Sequence, residues 1–238
     1  MLTAVAIIPS APVLIPALAG AAAAETSDLR EAVLTAAATL PDRWLAVGVD
    51  GTDAVVAPDS AGTFAGYGAD LRVKLSPTAR EVDRLPLCAL ITGWVRGLVR
   101  SRASAEVHVF ARDHDADTAV AHGQALRTTV DEAAEPIGVL VVADGAHTLT
   151  PSAPGGHDPS SVEMQAALDD ALAAGDAAAL RRLPASITGR VAWQVLSGLI
   201  EPTPRCAKEL YRGAPYGVGY FAGVWQPAGG SEASRESS

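Results

Sequence analysis

The chain contains no asparagine, and lysine occurs only at Lys74 and Lys208. Without asparagine there is no N-glycosylation acceptor. The scarcity of lysine reads as the bias of a high-GC genome, not as chemistry. Cysteine is nearly absent as well. Cys88 and Cys206 stand far apart and neither belongs to a C-x-x-C pair. That excludes a disulfide scaffold and reads as two small buried apolar residues in a reducing cytoplasm. Aromatic residues make up only 5% of the chain, so the core must be built from small side chains. No stretch approaches the roughly 18 uninterrupted apolar residues of a spanning helix, which argues against a membrane protein. No Lys or Arg precedes Arg30, so the positive start of a signal peptide is missing. Pro9, Pro12 and Pro16 would also break its apolar helix.

Among 238 residues, 49% are hydrophobic and 19% charged, enough to bury a core and to exclude general disorder. The formal charge is −9, from 18 basic and 27 acidic residues. An acidic chain has no net electrostatic attraction to nucleic acid or anionic lipid. A cytoplasmic location follows as the expectation.

Strand and helix patterns alternate. Residues 3–8 form an apolar run that ends at Pro9, as a buried strand entering a loop does. A helix follows, with Asp28 as its expected cap and Glu31 three residues on. Further strands are expected at 44–49, 54–57, 106–110 and 137–143, and a last one at 216–225. Ser76-Pro77 is placed to start a helix that Pro86 splits and that continues to about Arg100. Other helices are expected at 116–133, 160–173, 176–183 and 189–199. The alternation predicts an α/β fold, a three-layer α/β/α sandwich around a mostly parallel sheet. One domain over residues 1–226 and a flexible tail over 227–238 complete the expected organisation.

Ligands of open α/β sheets bind beyond the carboxyl ends of the strands. Four loops qualify: those beginning at Pro9, Asp50, Arg112 and Asp144. The last is the most informative. A strongly apolar strand delivers Asp144, Gly145 and then His147 into a long Pro-, Gly- and Ser-rich loop. A histidine held there can serve as general acid or base near neutral pH, with Asp144 as its orienter. The same residues also suit a plain turn, with Gly145 at positive φ and His147 on the surface.

The remaining histidines show less. His108, His114 and His122 share no metal-ligand spacing, and His122 reads as a satisfied core residue. Asp113, Asp115 and Asp117 surround His114, but Thr118 and Gln124 stand where a calcium loop needs Gly and Glu. An acidic helix start is the better reading. Gly217, Gly219 and Gly223 lack G-x-G-x-x-G spacing, which argues against a dinucleotide and for close backbone approach. No P-loop, nucleophile elbow or zinc set is present.

Three segments together resemble one family. Ile7 to Gly20 (IIPSAPVLIPALAG), the stretch VVADGAHTLTPSAPGGHDP, and PYGVGY around Tyr216 occur in order and span most of the chain. They are similar to motifs of the class III extradiol ring-cleavage dioxygenase B-subunit superfamily, which includes the Memo-like proteins. The likeness is greatest to an uncharacterised actinobacterial branch. It implies an α/β/α fold and, in family enzymes, Fe(II) held by two His and one Glu. Carried over residue by residue, the first ligand falls at Ser10, the second at Asp50 and the Glu at Gly213 or Ala214. Only the proton-handling histidine has a counterpart, His147. No histidine precedes His108, so the resemblance implies a member without the iron site, with no cofactor and no metal ligands.

Three readings stay open. In the first, the protein keeps a pocket for a small molecule, walled by Ser10, Asp50, Asp144, His147 and Tyr216, and does not cleave rings. In the second, His147 and Asp144 support altered chemistry that is metal-free or uses an oxygen-ligated ion. In the third, the chain is a structural or interaction subunit, a homo-oligomer among them, using the apolar helix from Leu87 to Val99.

Overall fold

The computed structural model describes residues 1–201 and 204–228; nearly all of the tail expected from 227 lies outside the described residues. In chain order the strands are β1 (Leu2–Ile8), β2 (Arg43–Asp50), β3 (Ala54–Val56), β4 (Ser60–Thr63) and β5 (Arg72–Lys74). They continue as β6 (Glu81–Val82), β7 (Ser104–Ala111), β8 (Ile137–Val142), β9 (Cys206–Gly213) and β10 (Tyr220–Gln226). The α-helices are α1 (Pro16–Ala19), α2 (Ser27–Ala38), α3 (Leu87–Val99), α4 (Ala116–Glu132), α5 (Ser160–Ala174), α6 (Ala177–Leu180) and α7 (Arg190–Leu199).

Seven strands form the main sheet in the order β3-β7-β2-β8-β1-β10-β9. The four central strands, β7, β2, β8 and β1, run parallel, and the edge strands are antiparallel to their neighbours. Both faces of the centre are covered, so its strands read as apolar runs. Alternate side chains separate cleanly. Ala4, Ala6 and Ile8 of β1 pack with α2 and α3, whereas Val5 and Ile7 pack with α4, α5, α6 and α7. The result is the three-layer α/β/α sandwich with a mostly parallel sheet.

The sequence did not disclose a second sheet, β5-β4-β6, which lies between β3 and α3 in the chain. Its formation corrects the helix expected from Ser76-Pro77. Pro77 occupies a turn closed by the Ala79 N–H donating to the Ser76 C=O at 3.3 Å. Proline with its fixed φ suits that turn as well as it suits a first helical turn. Arg80 and Asp83 then bond to the backbone of Asp59 and Ala61, which draws the segment alongside β4. The helix starts at Leu87, with Pro86 just before it. Its apolar residues are mostly spent inside the molecule: Cys88, Leu90, Ile91, Trp94 and Val95 are buried.

Smaller corrections have equally local reasons. Asp28 lies inside the first turn of α2, and Thr26 holds the cap position. The last strand begins at Tyr220, because Pro215 and Tyr216 form a turn. Cys88 is buried as expected, but Cys206 is exposed on the edge strand β9, and both are free thiols. No helix among the described residues is long and apolar enough to cross a membrane.

Candidate functional site

The parallel strands deliver four loops to one edge of the sheet. After β1 and β2 the chain leaves toward the α2–α3 layer, and after β7 and β8 toward the α4–α7 layer. β8 lies between β2 and β1, so it is flanked on both sides by strands whose connections leave on the opposite face. Such a reversal opens a crevice at the carboxyl ends. A cleft of about 590 Å³ sits there, bordered by Ser10, Asp50, Asp144 and His147.

Asp144 follows β8 directly. Its carboxyl accepts the Ser10 backbone N–H at 2.8 Å. Burial against the strand ends pushes its pKa up to about 7, with only the Ser10 bond opposing. The cleft therefore holds a carboxyl group that exchanges its proton near neutrality. Ordinary aspartates have lost it by then. The Asp144 carbonyl is used as well. It accepts the Gly189 N–H at 2.9 Å and the Trp193 indole N–H at 3.3 Å, which pins the start of α7 beside β8.

His147 stands on the exposed side of the cleft. Its Nδ1 pairs with the Thr188 hydroxyl at 3.0 Å, so Thr188 sets the ring's orientation. This corrects the expectation that Asp144 orients His147: the Asp144 carboxyl is engaged by Ser10 instead. On its other side the ring rests on Gly155, where a Cβ would come within 2.4 Å of His147 Cδ2. Gly145 differs from expectation too, for its φ is not positive. Its need for glycine is steric. A Cβ there would fall 2.0 Å from Gln165 Oε1, which accepts the Ala146 N–H at 2.8 Å.

Asp50 is exposed at the end of β2 and meets Arg112 at 3.4 Å. Tyr67, from the turn beside the second sheet, and Arg84, ahead of α3, complete that wall. Burial and the Asp50 charge raise the Tyr67 phenol pKa. Arg190 also lines the cleft, next to Arg112. It donates to Gln194 Oε1 at 3.0 Å and to the His114 carbonyl at 2.7 Å. Three guanidinium groups, of Arg84, Arg112 and Arg190, thus border the cleft of an acidic protein.

Four of the five residues singled out from the sequence meet at this cleft. Tyr216 does not line it. Its hydroxyl donates to Glu25 at 2.9 Å, tying the turn before β10 to the segment after β1. Thr188, Arg190, Arg84 and Tyr67 were missed. They come from three segments whose approach depends on the second sheet and on the entry to α7, and no local motif marks them.

The cleft is oxygen-rich: Asp50 and Asp144 bring carboxylates and Ser10, Tyr67, Ser186 and Thr188 bring hydroxyls, against the one imidazole of His147. Among the described residues, no three His, Cys, Asp or Glu side chains converge within it. The group that does converge, Asp53 with His114 and His122, lies outside its lining.

No protein-family model matches the chain, and no curated protein matches it. A solved structure that it resembles is an uncharacterised protein, JW3007, from Escherichia coli K12. The two share 10% identity with a TM-score of 0.59, over 93% of this chain and 99% of that one. At that identity the likeness concerns the fold alone.

Proposed function

We propose that this protein is a ring-cleavage-dioxygenase-like scaffold that binds a small phenol or acid in the cleft, without the family's ferrous centre. The observation that carries the reading is the meeting of Ser10, Asp50, Asp144 and His147 at the carboxyl ends of β1, β2 and β8. Those are the places where the family resemblance puts two metal ligands and the proton-handling histidine. Ferrous iron in a facial site wants two neutral imidazoles beside a carboxylate. Ser10 and Asp50 supply no nitrogen, so this donor set does not fit the ion.

The same residues suit an organic ligand. Arg84, Arg112 and Arg190 favour a carboxylate or phenolate at the rim. Asp144 in its protonated state donates a hydrogen bond at the base, and His147 lies beside it as a second polar contact. Calorimetric titration with catechols, simple phenols and small carboxylic acids tests the proposal. One saturable site for at least one class, weakened in Arg190→Ala and Asp144→Asn, is expected. Flat heats for all three classes overturn it.

A second reading has its own support. A carboxyl that titrates near 7 and a histidine beside the same cleft are the groups that general acid–base catalysis needs. It predicts conversion of a bound ligand by the purified chain, abolished in His147→Gln, whereas the binding reading predicts recovery of the ligand unchanged.

A further inference from the structure

Three side chains outside the cleft come together behind its wall. Asp53 stands in the loop between β2 and β3, His114 between β7 and α4, and His122 on α4. Their potential ligand atoms all lie within 4.8 Å of one another. We propose that Asp53, His114 and His122 form a binding site for one divalent first-row transition ion of the Zn²⁺ class.

The donor chemistry fits that class. Two imidazoles and one carboxylate leave at least one coordination position open, as in mononuclear zinc and related sites. An ion about 2.1 Å from each donor requires only that these exposed or half-buried side chains close in slightly. His114 Nε2 already meets both Asp53 oxygens, at 2.8 and 3.0 Å, so an ion would replace that proton between them. The imidazoles bind as neutral bases and the aspartate as its carboxylate.

The groups behind the ligands are also in place. Asp53 Oδ1 accepts the Ala111 N–H at 2.7 Å, which fixes the carboxylate and leaves Oδ2 freer for an ion. The Arg190 guanidinium holds the His114 carbonyl at 2.7 Å. The His122 ring packs against Phe110 at 5.0 Å and His114 at 5.1 Å, and forms no hydrogen bond among the described residues. A half-buried imidazole without a hydrogen-bond partner, turned toward a His–Asp pair, is what an ion-ready ligand presents. Supporting contacts of this kind orient metal ligands in general. The expectation of a satisfied core histidine does not hold for His122.

The proposal is independent of what the cleft binds. Its test begins with the full chain stripped by a chelator and dialysed. Zn²⁺ is then titrated in competition with a chromophoric chelator, and Co²⁺ is followed by visible absorption. Uptake of one equivalent, with the d–d bands of a nitrogen-containing Co²⁺ site, is expected. His122→Gln, His114→Gln and Asp53→Asn should each weaken uptake by more than about tenfold, while His147→Gln and Asp144→Asn leave it unchanged. Asp53→Asn, at an exposed loop position, guards against loss of folding, and circular dichroism checks each variant. Absence of stoichiometric uptake overturns the proposal. So does uptake that survives all three substitutions, or that is lost only in the cleft variants.

Discussion

The Asp144 carboxyl accepts the backbone N–H of Ser10 at 2.8 Å, joining the exits of β8 and β1 across a separation of 134 residues. That bond closes the base of the cleft, and it is too weak to offset the burial of the carboxyl. Holding the proton up to about pH 7 makes Asp144 at once a destabilising residue and a chemically useful one.

The first prediction follows from that proton. In the unfolded chain Asp144 ionises near 3.8, and in the folded chain near 7. Between those values the folded state binds the extra proton, so this residue's contribution to stability falls as pH rises and levels off above 7. Asp144→Asn should match the parent at about pH 4 and exceed it by about 4 kcal/mol at about pH 8, since the rise is about three units and each is worth about 1.4 kcal/mol. Urea melts of both proteins across that range measure the difference.

Thr188 offers a test of side-chain orientation. Its hydroxyl meets His147 Nδ1 at 3.0 Å at an exposed position. Thr188→Val should change the melting temperature little, because surface substitutions are usually within about 0.5 kcal/mol. Ligand affinity should drop by about 1 kcal/mol, the net value of such a bond. Calorimetry gives the affinity, and the ¹⁵N shifts of the His147 ring report the changed tautomer balance.

Two glycines should respond with opposite signs. At Gly219 a Cβ would fall 2.1 Å from Gln165 Oε1. Gln165 is itself held by the Ala146 N–H and by Asp169, each at 2.8 Å, so it cannot swing away. Gly219→Ala should cost about 1–3 kcal/mol through overpacking. At Gly97, in α3, a Cβ meets nothing within 4 Å. Gly97→Ala should add about 0.5–1 kcal/mol from helix propensity. Thermal melts of the two variants decide both.

Arg96 supplies a prediction about the second sheet. Its buried guanidinium donates to the carbonyls of Lys74, Ser101 and Ala103 at 2.8, 2.7 and 2.9 Å. These bonds join α3 to β5 and to the entry of β7. Arg96→Met keeps the stem but leaves three carbonyls without this donor, and should cost at least about 3 kcal/mol. A chemical melt gives the loss, and hydrogen exchange should show it concentrated in residues 72–74.

The sequence alone determined the layers. Apolar runs at β1, β2 and β8, divided by amphipathic helices, leave little choice but a parallel sheet covered on both faces, because each run must bury both of its sides. The helix start at Asp115 was legible for the same local reason: its carboxylate accepts the Thr118 N–H at 2.8 Å. Local signals failed where one pattern suits two structures. Ser76-Pro77 fits a turn as well as a helix start, and the edge strand β9 alternates charges where a buried strand would show apolar residues. The rest only the tertiary structure decided. Which strand lies beside β8 sets which loops share the cleft. The approach of α7 brings Thr188 to His147, and the pairing of β2 with β7 brings Asp53 to His114 and His122. Such contacts depend on residues scores of positions apart, and short-range spacing carries no record of them.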